Sequence, residues 1–310
     1  MKKMDISVVI PIFNEEKGLP ELYNRLIKAV RSISNDFELI FVNDCSTDNS
    51  LQVIKELSET DSKVKYLSFS RNFGHQIAVT AGLEQTQGEA VVIIDGDLQD
   101  PPELICEMYE KYKTGYKVVY AKRKSRSGES FFKKLTAKIF YRLMVKLTGV
   151  AIPIDTGDFR LIDRVIVDHL KEMPEPVKFL RGQIAWLGYK QTFVEFDRDA
   201  RKYGTTGYPL RKMIRFAIDG ITAFSDVPLK IATTAGFVVS GFSLLVIIYA
   251  LISHFILNQT ITGWTSLIIS SMFIGGIQLI AIGIIGEYIS RINTTVRKRP
   301  LYIVEEMKVD

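Results

Sequence analysis

Three aspartates stand close together directly after an apolar run in the stretch "VVIIDGDLQDPPE". They are Asp95, Asp97 and Asp100. Carboxylates this close repel one another unless a positive group lies among them. Asp95 and Asp97, at positions i and i+2, can converge on a hard divalent cation, which prefers oxygen ligands. A solvated turn is the alternative interpretation, but Pro101 and Pro102 stiffen the loop and favour a cation site.

The element that presents these acids is predicted to be a strand of an α/β sheet. Before residue 200, short apolar runs alternate with segments of helical period. The apolar runs are "ISVVIPIF", "FELIFVN", "VKYLSFS", "AVVIID" and "YKVVYAKR", and the helical segments are 19–33, 48–60 and 76–86. This alternation is typical of stacked βα units with a mostly parallel sheet.

Polar residues follow four of the predicted strands, where such sheets bind their ligands. These residues are Glu15, Asp44, Arg71 and the pair Asp95 and Asp97. The chain has no G-x-x-x-x-G-K-[ST] loop, and no G-x-G-x-x-G follows the first strand. A nucleotide bound at this edge therefore needs its diphosphate charge neutralised by other means, and a metal ion on the acid pair would do so.

A charge-free region near the C-terminal end predicts two transmembrane helices. No Asp, Glu, Lys or Arg occurs between Lys230 and Glu287. Within it, 231–257 and 264–289 can each cross a hydrocarbon core of ~30 Å as a helix, joined by "NQTITG". Basic residues flank the pair and the loop has none, so both termini are expected in the cytoplasm, with the helices in the plasma (inner) membrane. Two buried core helices are the alternative, which their length disfavours.

The remaining composition excludes several classes of protein. The two cysteines and three histidines are scattered, without the spacing of a disulfide framework or a zinc site. The net charge of +5 is concentrated near the apolar spans and in residues 121–134. An anionic bilayer or a phosphate partner explains this charge better than nucleic acid does. Glycines in the apolar spans permit close helix contacts, which predicts a homo-oligomer.

Six motifs together resemble a known family. They are "VVIPIFNEE", "VNDCSTDNS", "SRNFGHQ", "DGDLQDPPE", "TGDFRL" and "FLRGQIAWLGY". In this order, and followed by two apolar spans, they resemble the polyprenyl-phosphate glycosyltransferases of the inverting family 2, which include dolichol-phosphate mannose synthase and bacterial bactoprenol glucosyltransferases. The resemblance covers nearly the whole chain. It implies a GT-A (Rossmann-like) α/β catalytic domain followed by interfacial helices and two transmembrane helices, and it implies a metal-dependent hexosyltransferase.

The resemblance also implies which residues bind the donor. The residues expected to contact the nucleotide sugar are Pro11, Glu15, Asp44, Arg71, Asp95 and Asp97. Asp95 and Asp97, together with Gln99, would hold Mg²⁺ or Mn²⁺ against the diphosphate. The donor is expected to be UDP-glucose, with GDP-mannose and UDP-N-acetylhexosamines as the alternatives.

The acceptor side of the implied site centres on Asp158, which matches the family's proposed catalytic carboxylate. Arg123, Arg126 and Arg201 match basic positions that meet the phosphate of the acceptor lipid. A phosphate monoester has its second pKa near ~6 and needs little help from a base. Asp158 is therefore expected to orient the acceptor or stabilise the developing oxocarbenium charge as much as to remove a proton. A helix cap before "FRLID" is the alternative interpretation of Asp158.

Two positions depart from the family pattern. Gly207 stands where many relatives carry a lysine, which puts more of the expected phosphate contact on Arg201. His75 and Gln76 stand where other members have Lys and Glu, and the sequence assigns His75 no role.

Four regions are predicted along the chain. They are a cytoplasmic GT-A domain at 1–208, an interfacial amphipathic segment at 209–229, a two-helix transmembrane domain at 230–290 and a cytoplasmic tail at 291–310. The segments "FFKKLTAKIFYRLMVKL" and "YPLRKMIRFAIDGI" have the helical spacing of interfacial helices. An amphipathic helix packed on the sheet is an equally good interpretation of the first.

The function predicted from this resemblance is inverting transfer of glucose from UDP-glucose to undecaprenyl phosphate for modification of cell-envelope glycans. A processive polysaccharide synthase is disfavoured, because the chain lacks a Q-x-x-R-W signature and two spans are too few for a secretion channel. A non-enzymatic membrane partner is disfavoured because it would have no need of an acidic metal loop.

Overall fold

The computed structural model describes residues 4–123, 156–197, 227–256 and 263–309. The chain forms two compact units, one of residues 1–213 with 299–310 and the other of residues 214–298. Both predicted interfacial segments lie outside the described residues, as does most of the region 209–229. The four-region division of the sequence therefore stays a prediction at these boundaries.

The strands of the first unit confirm the apolar runs as sheet elements. They are β1 (Ile6–Ile12), β2 (Phe37–Asn43), β3 (Val64–Phe69), β4 (Ala90–Ile93), β5 (Val118–Arg123), β6 (Thr156–Asp163), β7 (Gln191–Phe196) and β8 (Val304–Lys308). The first five coincide with the predicted runs. The last three were not predicted as strands.

Among the described residues, six helices lie between the strands of the first unit, and two longer helices form the second unit. In chain order they are α1 (Leu19–Arg31), α2 (Ser50–Thr60), α3 (His75–Gln85), α4 (Leu104–Lys113), α5 (Arg164–Glu172), α6 (Leu180–Trp186), α7 (Val227–Phe255) and α8 (Trp264–Val296). The helices α1, α2 and α3 lie within two residues of the segments that the periodicity predicts.

The described strands form one sheet in the order β7-β5-β6-β4-β1-β2-β3-β8. The four strands β4, β1, β2 and β3 are parallel neighbours, and β5 pairs with β7 in parallel. The strand β6 lies antiparallel between β4 and β5, and β8 is antiparallel to β3. This mixed but mostly parallel sheet confirms the predicted α/β class.

Alternation along the buried strands divides the core into two faces. In β1, the side chains of Val8 and Ile10 pack with Leu22 of α1, while Val9 packs on the opposite face with Val79 of α3. Successive side chains of a strand point to opposite faces, so a strand with helices on both sides is apolar throughout. The sheet thus lies between two helical layers.

The second unit contains two helices that are long and apolar enough to cross a membrane, by length and composition. Their apolar side chains are exposed: Phe237 is 76% and Leu279 is 72% accessible. Surface of this kind is stable when it faces hydrocarbon, whereas water disfavours it. The predicted spans 231–257 and 264–289 correspond to α7 and α8, and α8 extends a further turn and more to Val296.

Candidate active site

The acid loop follows β4 and packs against the loop after β1. Gly96 makes this packing possible, because a Cβ atom there would lie 2.5 Å from Cδ1 of Ile12. Leu98 is buried with a φ of 58°, a conformation that is costly for a branched side chain and concentrates at functional loops. The Oδ1 atom of Asp97 accepts a hydrogen bond from the backbone N–H of Gln99 at 3.1 Å. The loop therefore has one defined shape that places Asp95 and Asp97 beside β1.

A histidine joins the acid loop to the predicted catalytic carboxylate. The Nε2 atom of His75, at the start of α3, lies 3.5 Å from Oδ1 of Asp95 and 3.4 Å from Oδ2 of Asp158. Burial alone would lower the pKa of His75, but the charges of Asp95 and Asp158 outweigh it and raise the pKa to about 9. His75 is therefore a cation between two carboxylates at neutral pH.

Two arginines complete the surroundings of Asp158. The Oδ1 atom of Asp158 accepts hydrogen bonds from Nη2 of Arg160 at 3.0 Å and from Nε of Arg181 at 2.9 Å. Arg160 is only 1% exposed. Burial acts to raise the pKa of Asp158, but Arg181, His75 and Arg160 together hold it well below its usual range. Asp158 is thus a permanently ionised carboxylate and a weak proton acceptor.

The capping interpretation of Asp158 is wrong. Asp158 lies inside β6, where its neighbours are extended. The helix cap in this part of the chain is Asp163, whose side chain accepts from the backbone N–H of Val165 at 3.0 Å at the start of α5. Asp158 is consequently held by side-chain charges, and its position on a strand aims it at the same edge as the acid loop.

Asp95 has the opposite electrostatic environment. Burial raises its pKa, the neighbouring charges of Asp158 and Asp97 add to this, and His75 opposes it. The Oδ1 atom of Asp95 is buried and makes no hydrogen bond, although it lies near His75. A buried carboxylate oxygen without a hydrogen bond, beside a second carboxylate, is a donor set that suits a hard cation. Among the described residues, however, three or more metal-ligating side chains do not converge, so the remaining ligands would have to come from the substrate or water.

Asp44 lies at the end of β2 and holds the loop between β3 and α3. Its two carboxylate oxygens accept from the backbone N–H groups of Phe73 at 2.6 Å and Gly74 at 2.9 Å. Asp44 is 3% exposed, and burial raises its pKa against the effect of these two bonds. Gly74 has a φ of 100°, which a side chain would disfavour, and it directly precedes His75. The role of Asp44 visible in the protein alone is to fix this loop, and its contact with a nucleotide stays a prediction.

The loops after β1 and β2 are cross-linked by hydrogen bonds. The backbone N–H of Glu15 donates to Oγ of Ser50 at 2.9 Å, and the N–H of Thr47 donates to Oδ1 of Asn14 at 2.7 Å. Asn14 has a φ of 59°. The strands β1 and β2 end side by side, with the N–H of Asp44 donating to the carbonyl of Ile12 at 2.9 Å, so Pro11, Glu15 and Asp44 lie at one edge of the sheet, as predicted. Arg71 is at this edge too, with its guanidinium 3.9 Å from the ring centroid of Phe73.

Of the three arginines expected to meet a lipid phosphate, only Arg123 is among the described residues. It ends β5, and its Nη2 atom lies 3.5 Å from the place where a Cβ atom on Gly157 would stand. Oδ2 of Asp100, from the acid loop, is 3.8 Å from the same point. Arg123 and Asp100 therefore flank the residue next to Asp158. Arg126 and Arg201 lie outside the described residues.

The sequence interpretation missed the charges that hold Asp158. Arg160 follows Asp158 by two positions, and on a strand that spacing places both on one face. An arginine between Phe159 and Leu161 in an apolar strand was the available signal for Arg160. Arg181 comes from α6 and reaches Asp158 only through the tertiary fold, so the sequence carried no comparable signal for it.

Comparison with known proteins gives consistent matches over this chain. The model described as "Glycosyl transferase family 2" matches residues 7–171. The chain is 50% identical to "Uncharacterized glycosyltransferase YkcC" of Bacillus subtilis (strain 168), covering 98% of this chain and 94% of that protein. It is 40% identical to "Prophage bactoprenol glucosyl transferase homolog" of Escherichia coli (strain K12), covering 98% and 100% respectively. The crystal structure of glucosyl-3-phosphoglycerate synthase from Mycobacterium tuberculosis with Mn²⁺, UDP and phosphoglyceric acid is 19% identical, with a TM-score of 0.49 over 71% of this chain and 76% of that one.

Proposed function

Since this chain belongs to glycosyl transferase family 2, we propose that it transfers glucose from UDP-glucose to a membrane polyprenyl phosphate with inversion at the anomeric carbon. The observation that carries this proposal is the environment of Asp158, a carboxylate kept ionised by two arginines and a histidine beside the acid loop. A relative named as a bactoprenol glucosyl transferase homolog, similar over nearly the whole chain, supports the choice of sugar and acceptor.

The donor binds, in this proposal, at the carboxyl edge of β1, β2, β3 and β4. Pro11, Glu15, Asp44 and Arg71 lie at that edge and contact the nucleoside. Asp95 and Asp97, with Gln99, hold Mg²⁺ or Mn²⁺, a role supported by the buried oxygen of Asp95 that makes no hydrogen bond. When bound, the cation supplies charge neutralisation to the diphosphate that departs.

The chemistry requires a nucleophile, a leaving group and stabilisation of the charge that develops on the sugar. An oxygen of the acceptor phosphate forms a bond to the anomeric carbon as the bond to the β-phosphate oxygen of UDP breaks, giving UDP and polyprenyl-phosphate glucose. The acceptor is largely dianionic at neutral pH and has no proton to lose at the attacking oxygen. Asp158, ionised at this pH, acts by stabilising positive charge at the anomeric carbon rather than as a base.

The arginines around Asp158 have a second effect on the acceptor. An isolated carboxylate would repel an incoming phosphate dianion. Arg160 and Arg181 offset the charge of Asp158, so a dianion can approach the site. Arg123, which flanks Gly157, together with Arg126 and Arg201, supplies the phosphate contacts in this proposal.

The apolar helices serve to hold the enzyme at the membrane. We assign α7 and α8 as two spans of the plasma membrane with the catalytic unit and both termini in the cytoplasm, where nucleotide sugars are found. The support is the basic residues that flank the spans, among them Arg215, Lys230, Arg291 and Arg299, and their absence from the loop 258–263. A cysteine placed at Thr260 should react with an impermeant thiol reagent on intact cells, whereas one at Val309 should not. Self-association of these helices stays a prediction.

The proposed reaction is tested with the purified full-length protein in lipid and undecaprenyl phosphate. Radiolabelled UDP-glucose, UDP-N-acetylglucosamine and GDP-mannose are offered separately, and label in the lipid phase is measured. Label from UDP-glucose, lost in Asp158→Asn and kept in Asp168→Asn, is the expected result. Asp168 provides the matched control because its side chain is 59% exposed on α5. Exclusive transfer from another donor would replace glucose in the proposal, and the absence of transfer from all three would reject it.

A further inference from the structure

The chain returns to the catalytic unit directly after its second apolar helix. Residues Val304–Lys308 form β8, which pairs antiparallel with β3 at the edge of the sheet. The strand is fixed on the side of α2 as well: Lys55 pairs with Glu306 at 2.7 Å, and Nζ of Lys308 donates to the backbone oxygen of Ser58. The C-terminal end is thus an integral part of the sheet.

The contacts of this segment continue past the strand to the loop between β3 and α3. The backbone N–H of Ser70, the first residue after β3, donates to the carbonyl of Ile303 at 3.1 Å. The ring of Tyr302 stacks on Phe69 with centroids 5.0 Å apart, and Phe69 in turn meets Phe73 edge-on at 5.6 Å. A chain of aromatic rings therefore leads from Tyr302 into the loop.

Tyr302 also contacts the helix that begins with His75. Its hydroxyl donates a hydrogen bond to Oε2 of Glu84, in the last turn of α3. Burial and the neighbouring carboxylate of Glu84 raise the pKa of Tyr302 above its usual value, so the hydroxyl keeps its proton at neutral pH. One side chain therefore connects the end of β3 with the end of α3.

The loop held in this way sets the position of His75. Phe73 is the third ring in the row that begins with Tyr302 and Phe69. The backbone N–H groups of Phe73 and Gly74 both donate to the carboxylate of Asp44. The next residue is His75, whose ring lies between Asp95 and Asp158. The contacts of Tyr302 with Phe69 and Glu84 thus act on the two elements that meet at His75. Asp44 fixes the same loop from the side of β2.

We propose that the C-terminal segment 302–308 positions the active site, with Tyr302 as the residue that keeps His75 in register with Asp95 and Asp158. This inference rests on the proposed function, because it takes that trio as the reacting centre. Tyr302 is a positioning residue: it acts through Phe69, Phe73 and α3 and does not meet the substrate. A segment after the second apolar helix then determines the turnover of a site whose three residues lie between positions 75 and 158 of the chain.

The test compares Tyr302→Ala with Tyr302→Phe in the full-length protein. Tyr302→Ala removes the stack and the hydrogen bond, and the resulting displacement of His75 from Asp158 lowers kcat by about tenfold to a hundredfold. The KM for undecaprenyl phosphate should stay within about twofold, because Arg123 and its partners are untouched. Tyr302→Phe keeps the ring and should recover most of kcat. The matched control is Ile303→Ala, which removes a side chain that is 57% exposed but keeps the backbone oxygen that accepts from Ser70.

A second readout is independent of turnover. The chain has three histidines, so ¹⁵N-histidine labelling gives few imidazole signals, and the signal missing from His75→Gln identifies His75. Tyr302→Ala should shift the His75 signal, whereas Ile303→Ala should leave it in place. If Tyr302→Ala does not fold, Tyr302→Leu is used instead, because leucine keeps the apolar bulk but cannot stack as an aromatic ring. Its kcat and its His75 signal are then measured in the same way.

The outcomes separate this inference from the proposed function. A Tyr302→Ala protein with wild-type kcat and an unshifted His75 signal would overturn the inference, even if its melting temperature fell. Wild-type protein that transfers no glucose, combined with a His75 signal that still depends on Tyr302, would reject the proposed reaction while retaining the positioning role.

Discussion

The Nε2 atom of His75 and the Oδ2 atom of Asp158 lie 3.4 Å apart, at the start of a helix and inside a strand that are distant in the sequence. This contact places a cation between Asp158 and the acid loop. Two negative residues, Asp95 and Asp158, thus share their surroundings with three positive ones, His75, Arg160 and Arg181. The site is organised to hold an ionised carboxylate close to the place where a dianionic substrate and a diphosphate would meet.

Replacing Asp158 by Asn removes the charge with almost no change of volume. Loss of a preorganised electrostatic group costs about 10²–10³ in kcat, and we expect a fall of that size in single-turnover glucose transfer. UDP-glucose binding, measured by calorimetry, should change little. Transfer at the wild-type rate by Asp158→Asn would remove this carboxylate from the reaction.

Arg160→Gln tests the buried guanidinium behind Asp158. Arg160 is 1% exposed, and its loss leaves a buried carboxylate with fewer partners. Removing one member of a buried ion pair lowers the free energy of unfolding by on the order of 3 kcal/mol. The matched control is Arg25→Gln, which breaks the surface pair with Glu103 and should cost at most about 1 kcal/mol. Equal losses in the two denaturation curves would contradict the burial of Arg160.

The depressed pKa of Asp163 predicts that the free energy of unfolding depends on pH. Burial acts to raise its pKa, but bonds from Lys117, Val165 and Tyr112 hold it below the usual value. A carboxyl whose pKa is depressed by folding stabilises the protein above its unfolded pKa of about 3.9, and this contribution is lost as the pH falls through the folded value.

Asp163→Asn isolates that charge, because Asn caps a helix about as well as Asp. Near neutral pH, the free energy of unfolding of the variant should be about 1 kcal/mol lower than that of the wild type. This difference in free energy should shrink below about pH 4. Urea denaturation across this range measures it. A difference that is unchanged at acidic pH would rule out the ionic contribution of Asp163.

Asp97→Asn tests the acid loop as a cation site. Transfer should fall by about 10² or more, because the cation that would neutralise the leaving diphosphate loses one of its two carboxylate ligands. The variant should also need more Mn²⁺ for half-maximal rate, and chelation should abolish wild-type transfer. Glu103→Gln, at the far end of the same loop, is the control. Chelator-insensitive transfer would show that these acids serve another purpose.

Arg123→Ala tests the acceptor side of the site. Loss of one phosphate contact should raise the KM for undecaprenyl phosphate by about tenfold, with the KM for UDP-glucose nearly unchanged. Arg201→Ala should behave in the same way, and Gly207→Lys should partly rescue it if both positions face one phosphate. If both KM values rise together and the melting temperature falls, these arginines brace the protein and the phosphate binds elsewhere.

The central sheet was predictable because its strands are buried on both faces. Runs such as "ISVVIPIF" and "FELIFVN" are apolar throughout, and the helices between them show clear periodicity. The acid loop and the residues after β1, β2 and β3 were predictable too, since a parallel sheet brings its carboxyl ends to one edge.

The strands added at the sides of the sheet were not predictable in the same way. The strand β8 reads "VEEMK", with two acids in five residues, and it forms because β3 offers an open edge. The partners of Asp158 depend likewise on tertiary contacts, since Arg181 and His75 reach it from separate helices. The local sequence indicates whether a segment forms a helix or a strand. The pairing of β8 and the contacts of Asp158 depend instead on which other elements these segments pack against in the fold.

The pairing of β8 with β3 also sets an order of events during synthesis. Residues 304–308 leave the ribosome after both apolar helices have been made. One edge of β3 therefore stays unpaired while the 234 residues 70–303 are added. At about 5–20 residues per second this delay lasts tens of seconds, during which an open edge strand can pair with another chain. A polypeptide whose synthesis stops within α7 or α8 lacks the strand that pairs with the edge of β3. The edge of the sheet can therefore be covered only after both apolar helices have been synthesised.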